Sequence, residues 1–301
     1  MRSSLLARWH LLSLDAPSVA ATWTWAVARA CNLRLPWVSL VAMGVAVWML
    51  YVTDRLLDAR GLSAPPQDSQ ARRIAVRELE ARHFFHYRHG RMFVAGLGLA
   101  ALGLAGLMPL LTPAAVLLYA IEAAFLCGWF LVLHASNLHR TGKSHRLPKE
   151  IAVGLFFAAA VFIPTVAREP GLRPALLPVV GLLAGVCSLN CLFIYCWEHE
   201  PGRPHWRGEV DSSRCHASTR LALRHLFEIA AALATAGAGI AVLERLTGPG
   251  LLWTLPAACA VSVALLLLLH RSRRRIEPTT LRAAADVALI TPLLFLPLLV
   301  R

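Results

Sequence analysis

The chain has 301 residues, of which 57% are hydrophobic and only 16% charged, and its mean hydropathy is +0.58. Soluble domains carry about 25% charged residues, so an ordinary soluble enzyme is excluded and a polytopic membrane protein is indicated. The formal charge of +13, from 30 Lys+Arg against 17 Asp+Glu, would suggest nucleic acid in a soluble chain; here its placement along the apolar spans decides its meaning.

A helix crosses a hydrocarbon core of about 30 Å with roughly 20 apolar residues. Nine windows meet this requirement without clustered charge: 16–33, 36–56, 92–109, 112–134, 150–167, 173–196, 222–243, 248–270 and 282–299. The expected class is therefore all-α, a membrane helical bundle of about nine spans. Residues 1–15 read as a cytoplasmic tail or interfacial helix, because Arg8, His10 and Asp15 interrupt any apolar run of signal-peptide type. Residues 16–301 read as one transmembrane domain with cytoplasmic loops near 57–91, 135–149, 197–221 and 271–281. The first window is the least typical, being built of Ala, Thr and Trp with Arg29 near its end.

With the N-terminus inside, the cytoplasmic segments hold 24 Lys/Arg and the opposite face holds six: Arg29, Arg34, Arg168, Arg173, Arg245 and Arg301. This asymmetry is the positive-inside signal; it places the C-terminus outside and accounts for the charge without nucleic acid. Seven cysteines form no C-x-x-C pair and several fall within spans, so they read as small packing residues.

The end of the second window reads VWMLYVTDRLLDARG. Asp54 and Asp58 are four residues apart and share a helix face, a spacing at which two carboxylates can hold a hard cation such as Mg2+. The alternative is interfacial ion pairing with Arg55 or Arg60. Within spans, Asn190, Glu122, Glu228 and Asp286 are polar groups that need partners. Asn190 either knits helices together or lines a cavity, and Asp286 has Arg282 one turn before it as a possible partner. The run Arg82-His83-Phe84-Phe85-His86-Tyr87-Arg88-His89 reads as a basic aromatic collar at the headgroup boundary in preference to a metal site.

The stretch Thr53-Asp54-Arg55-Leu56-Leu57-Asp58 resembles the first Asp-rich motif of the UbiA superfamily of intramembrane prenyltransferases, N-D-x-x-D-x-x-x-D. Asp54 and Asp58 match the last two acids, while Leu50 and Tyr51 stand where that motif has Asn-Asp. At the level of topology the resemblance spans nearly the whole chain. It implies a nine-helix bundle with a cytoplasm-facing cavity, and a second acidic motif near the end of the sixth helix. Here that segment is LNCLFIYCWEHEPGR, with Asn190, Glu198 and Glu200; Arg203 and Arg207 are the alternative partners of the glutamates. By resemblance, Asp54 and Asp58 are the catalytic carboxylates and, with Glu198 and Glu200, the Mg2+ ligands. Arg55, Arg60, Arg146, Lys149 and Asn190 then form the set that holds the diphosphate.

The implied activity is Mg2+-dependent transfer of an isoprenyl group from a prenyl diphosphate to a hydrophobic or aromatic acceptor, in a bacterial inner membrane. Two other expectations stand beside it: a catalytically inactive lipid-binding or assembly protein of the same shape, and a transporter.

Overall fold

The structure, a computed structural model, describes residues 5–60, 81–138, 149–198, 216–248 and 250–300, with side chains described at all of these except 58–60, 81–84, 130 and 133–138. Among the described residues there are helices and no strands. In chain order these are α1 (Leu5–Leu11), α2 (Asp15–Ala30), α3 (Trp37–Arg60), α4 (Ala81–Arg88), α5 (Gly90–Leu107), α6 (Pro113–Leu138) and α7 (Lys149–Arg168). They are followed by α8 (Arg173–Glu198), α9 (Ala217–Arg224), α10 (Leu226–Thr247), α11 (Thr254–Ser272), α12 (Pro278–Val287) and α13 (Leu296–Leu299).

Among the described residues six helices are long and apolar enough to cross a membrane: Trp37–Leu57, Gly90–Leu110, Lys149–Arg168, Pro170–Glu198, Leu226–Thr247 and Thr254–Arg275. Pro278–Val287 and Thr291–Leu299 make a seventh if the pair, bent by 45°, is one span. The protein is a helical integral membrane protein. Three of the nine sequence windows are not among these six: 112–134, where the apolar helix among the described residues is the shorter Pro113–Trp129, and two others that differ for physical reasons. The 16–33 window becomes the 16-residue α2, and the 282–299 window is broken where Pro292 removes a backbone donor.

α2 lies at the centre of the bundle against α3, α7, α11 and α12, which explains its composition. Ala20, Trp23, Ala26 and Val27 are fully buried, so the small residues admit close neighbours where a lipid-facing helix would carry Leu and Ile. The Trp23 indole N–H donates to the Leu289 carbonyl at 2.7 Å. That carbonyl lies just past the end of α12, where the helix no longer supplies a donor; inside a membrane each such group must find one. Similarly, Arg29 Nε donates to the Leu299 carbonyl at 2.6 Å, and Thr291 Oγ1 donates to the Ala258 carbonyl inside α11 at 2.9 Å.

α1 and α2 both end in the same turn. Ser13 (φ 59°) and Asn32 (φ 58°) take the left-handed conformation, and Leu14 N–H and Leu33 N–H bond back to the Trp9 and Ala28 carbonyls at 3.1 and 2.8 Å. Asn tolerates this conformation; a serine held there costs on the order of 1 kcal/mol and needs surrounding contacts to keep it. Those contacts tie α1, in the segment expected as a tail or interfacial helix, to the bundle: Ala7 and His10 are buried and α1 packs on α12.

Candidate functional site

Met43, Val47, Leu50 and Asp54 recur every three to four residues on α3 and therefore share one face. That face, with α5, α6 and α7, bounds an apolar cavity of about 480 Å³. Met108, Leu126, Trp129 and Phe157 contribute to its wall. The volume lies in the range of sites that enclose one small molecule, roughly 300–1,000 Å³. Charge is concentrated at one end: Lys149, the first residue of α7, donates from Nζ to Asp54 Oδ1 at 3.3 Å, and both side chains remain partly exposed. Deeper in the cavity stand Tyr119 and Glu122 of α6.

Arg55 follows Asp54 on α3 and points about 100° away around the helix. Its guanidinium is buried in a polar cluster between α1, α2, α3 and α12. Arg55 Nη1 donates to the His10 carbonyl at 2.9 Å and to Ser13 Oγ at 2.6 Å, and Nη2 lies 3.6 Å from Asp15 Oδ2. His10 Nδ1 is 2.5 Å from the same carboxylate oxygen and 4.0 Å from Asp286 Oδ2. Asn190 Nδ2 donates to Asp286 Oδ1 at 3.0 Å, and His86 closes the cluster with Nε2 3.2 Å from Ser13 Oγ. Tyr51 separates the two regions: it lines the cavity, and its ring centroid is 5.9 Å from the Arg55 guanidinium carbon.

His10, Asp15 and Asp286 offer three ligand atoms within 4.8 Å of one another. His10 and Arg55 supply the nitrogens that face these carboxylates, so the cluster draws together polar groups from α1, α2, α3 and α12. It reads as an ionic clamp that fastens α1 to α2, α3 and α12. Sequence reasoning misses it because residues 1–15 read as a cytoplasmic tail or interfacial helix. The available signal was an acid immediately before an Ala/Trp-rich window whose composition suits a protein-buried helix.

The sequence-derived site residues divide as follows. Asp54 and Lys149 meet at the cavity mouth. Asp58 and Arg60 lie further along α3, but their side chains are outside the described residues, as are Arg146 and Glu200 altogether. Glu198, at the end of α8, forms an ion pair with Arg282. Asn190 joins Asp286, so of its two expected roles it performs the knitting of α8 to α12. In the aromatic run, His86 is fully buried and stacks on Phe93 with centroids 4.2 Å apart, while Tyr87 is exposed.

For a divalent cation, Asp54 is the carboxylate at the mouth whose side chain is described. One or two carboxylates together with waters and phosphate oxygens suffice for Mg2+, so this oxygen-donor chemistry fits that ion. Comparison with known proteins adds no relative: no family model, no curated protein and no solved structure matches the chain.

Proposed function

We propose that the chain is a UbiA-like intramembrane prenyltransferase with nine membrane-crossing segments, its N-terminus in the cytoplasm and its C-terminus on the periplasmic side of a bacterial inner membrane. The observation that carries this reading is the apolar cavity of about 480 Å³ with Asp54 and Lys149 at its mouth. An isoprenyl diphosphate divides in the same way, into a hydrocarbon chain and a multiply charged head. The acceptor is a hydrophobic or aromatic molecule that enters from the lipid.

Asp54, with Asp58 one turn further on, would hold Mg2+, and Glu198 and Glu200 are the reserve ligands of the second motif. An ion held by these residues would supply positive charge to offset that of a departing diphosphate. The chain's own residues do the rest. Lys149 exchanges Asp54 for a phosphate oxygen, and Arg60 and Arg146 add positive charge on the same side. The apolar wall aligns the hydrocarbon and keeps water from the allylic carbon. Arg55 does not serve the head in this reading, because its guanidinium is committed to Ser13, Asp15 and the His10 carbonyl.

The test is release of diphosphate and transfer from radiolabelled prenyl diphosphates by purified protein with Mg2+. The double variant Asp54→Ala, Asp58→Ala is expected to lose about a hundredfold or more in rate, as does chelation of the ion. Turnover unchanged in the double variant would remove the mechanism. A second reading, a non-catalytic lipid-binding or assembly protein of the same shape, is favoured by the ion pairs Lys149–Asp54 and Arg282–Glu198, which neutralise the two acids without a metal. It is the outcome if prenyl diphosphates bind and no transfer follows.

A further inference from the structure

A prenyl diphosphate explains the mouth and the walls of the cavity but leaves its inner end unexplained. Tyr119 and Glu122 are three apart on α6, on one helix face, and both line the cavity. The Tyr119 hydroxyl is buried and has no hydrogen-bond partner. Glu122 already accepts a hydrogen bond from the backbone of Ala160 on α7. A donor left unsatisfied in a membrane interior is costly, because no water is there to replace the missing partner. A purely apolar chain end would leave the Tyr119 hydroxyl in that condition and give the Glu122 carboxylate no partner beyond Ala160.

Position along the helix gives the distance to the mouth. Lys149 and Ala160 are eleven residues apart on α7, about 16 Å at about 1.5 Å per residue. Groups held at Glu122 are thus too far from Asp54 to react there, since reacting atoms must approach to about 3–3.5 Å. The inner pair therefore recognises the far end of a ligand, not its reactive head.

We propose that Glu122 and Tyr119 form a subsite for a terminal hydroxyl, so that the cavity takes an elongated amphiphile with one polar group at each end of an apolar body. Glu122 accepts a hydrogen bond from the ligand hydroxyl, and the Tyr119 hydroxyl donates to the same ligand oxygen. The charged head lies at Asp54 and Lys149. This rests on the cavity being the lipid site, as in the function proposed above, and not on any transfer reaction.

The test is binding of two matched probes, dodecyl phosphate and ω-hydroxydodecyl phosphate, to the full chain in nanodiscs, with empty nanodiscs subtracted. A dodecyl chain bridges roughly the mouth-to-subsite distance. Wild type is expected to prefer the hydroxylated probe by about tenfold. Tyr119→Phe with Glu122→Leu abolishes the preference while keeping affinity for dodecyl phosphate, and Glu122→Gln, which still accepts a hydrogen bond, retains part of it. Retained affinity for dodecyl phosphate also shows that the variant is folded. Equal affinity of wild type for the two probes, or a preference that survives in the double variant, overturns the subsite and leaves the cavity reading standing. Failure of wild type to bind either probe removes both.

Discussion

Asp54 and Arg55 are neighbours in sequence and opposites in situation. Asp54 is at a wet cavity mouth with one lysine, whereas Arg55 is 5% exposed and holds together His10, Ser13 and Asp15. Removing one member of a buried ionic group leaves uncompensated charge, typically at about 3–5 kcal/mol, while a partly exposed pair contributes about 1 kcal/mol or less. Arg55→Ala is therefore expected to lower the midpoint of thermal unfolding in detergent strongly, and Asp54→Asn to leave it nearly unchanged. Equal shifts would contradict the division between clamp and site. The pairing of Asp54 with Lys149 joins two residues proposed from sequence for one headgroup. Of the His10–Asp15–Arg55 cluster only the acid before the Ala/Trp-rich window is a signal in the sequence, because nothing in a linear sequence says that an N-terminal segment folds back over the bundle.

At the scale of the element, the informative contact is between α7 and α8. A Cβ built on Gly154 of α7 would lie 2.2 Å from Ser188 Oγ and 2.4 Å from the Ala184 carbonyl oxygen of α8. The backbones touch there, the close approach that small residues permit between membrane helices. Gly239 of α10 has nothing within 4 Å of the corresponding position. Gly154→Ala is expected to destabilise by about 1–3 kcal/mol through overpacking. Gly239→Ala is expected to be neutral or to stabilise slightly, since alanine is the better helix former. Thermal unfolding of both variants, measured side by side, checks the contrast. Most of the apolar windows were readable as helices, since length and hydropathy suffice where a helix faces lipid. α2 and the last window departed from the long-span pattern where the partner is protein: α2 is short and rich in small residues, and the last span breaks at Pro292, with Trp23 and Ala258 providing for its freed backbone and side-chain groups.

For the whole molecule, the arrangement of charge predicts orientation. A reporter active only outside the cytoplasm is expected to work when fused after Arg301 and to be silent when inserted in the 140–149 loop; the reverse pattern would invert the proposed topology. The sequence by itself determined the solvent of this protein, its helical class, the asymmetry of its basic residues and the presence of carboxylates at a span end. These are properties of composition and of spacing along one helix, and they need no knowledge of which helices touch. Only the tertiary structure decided that α2 is the buried axis, that Arg55 serves a clamp while its neighbour Asp54 faces a cavity, and that Tyr119 and Glu122 end the same cavity that Asp54 and Lys149 begin. Such facts depend on packing between segments distant in the chain, where side chains must satisfy one another because the membrane offers them no water.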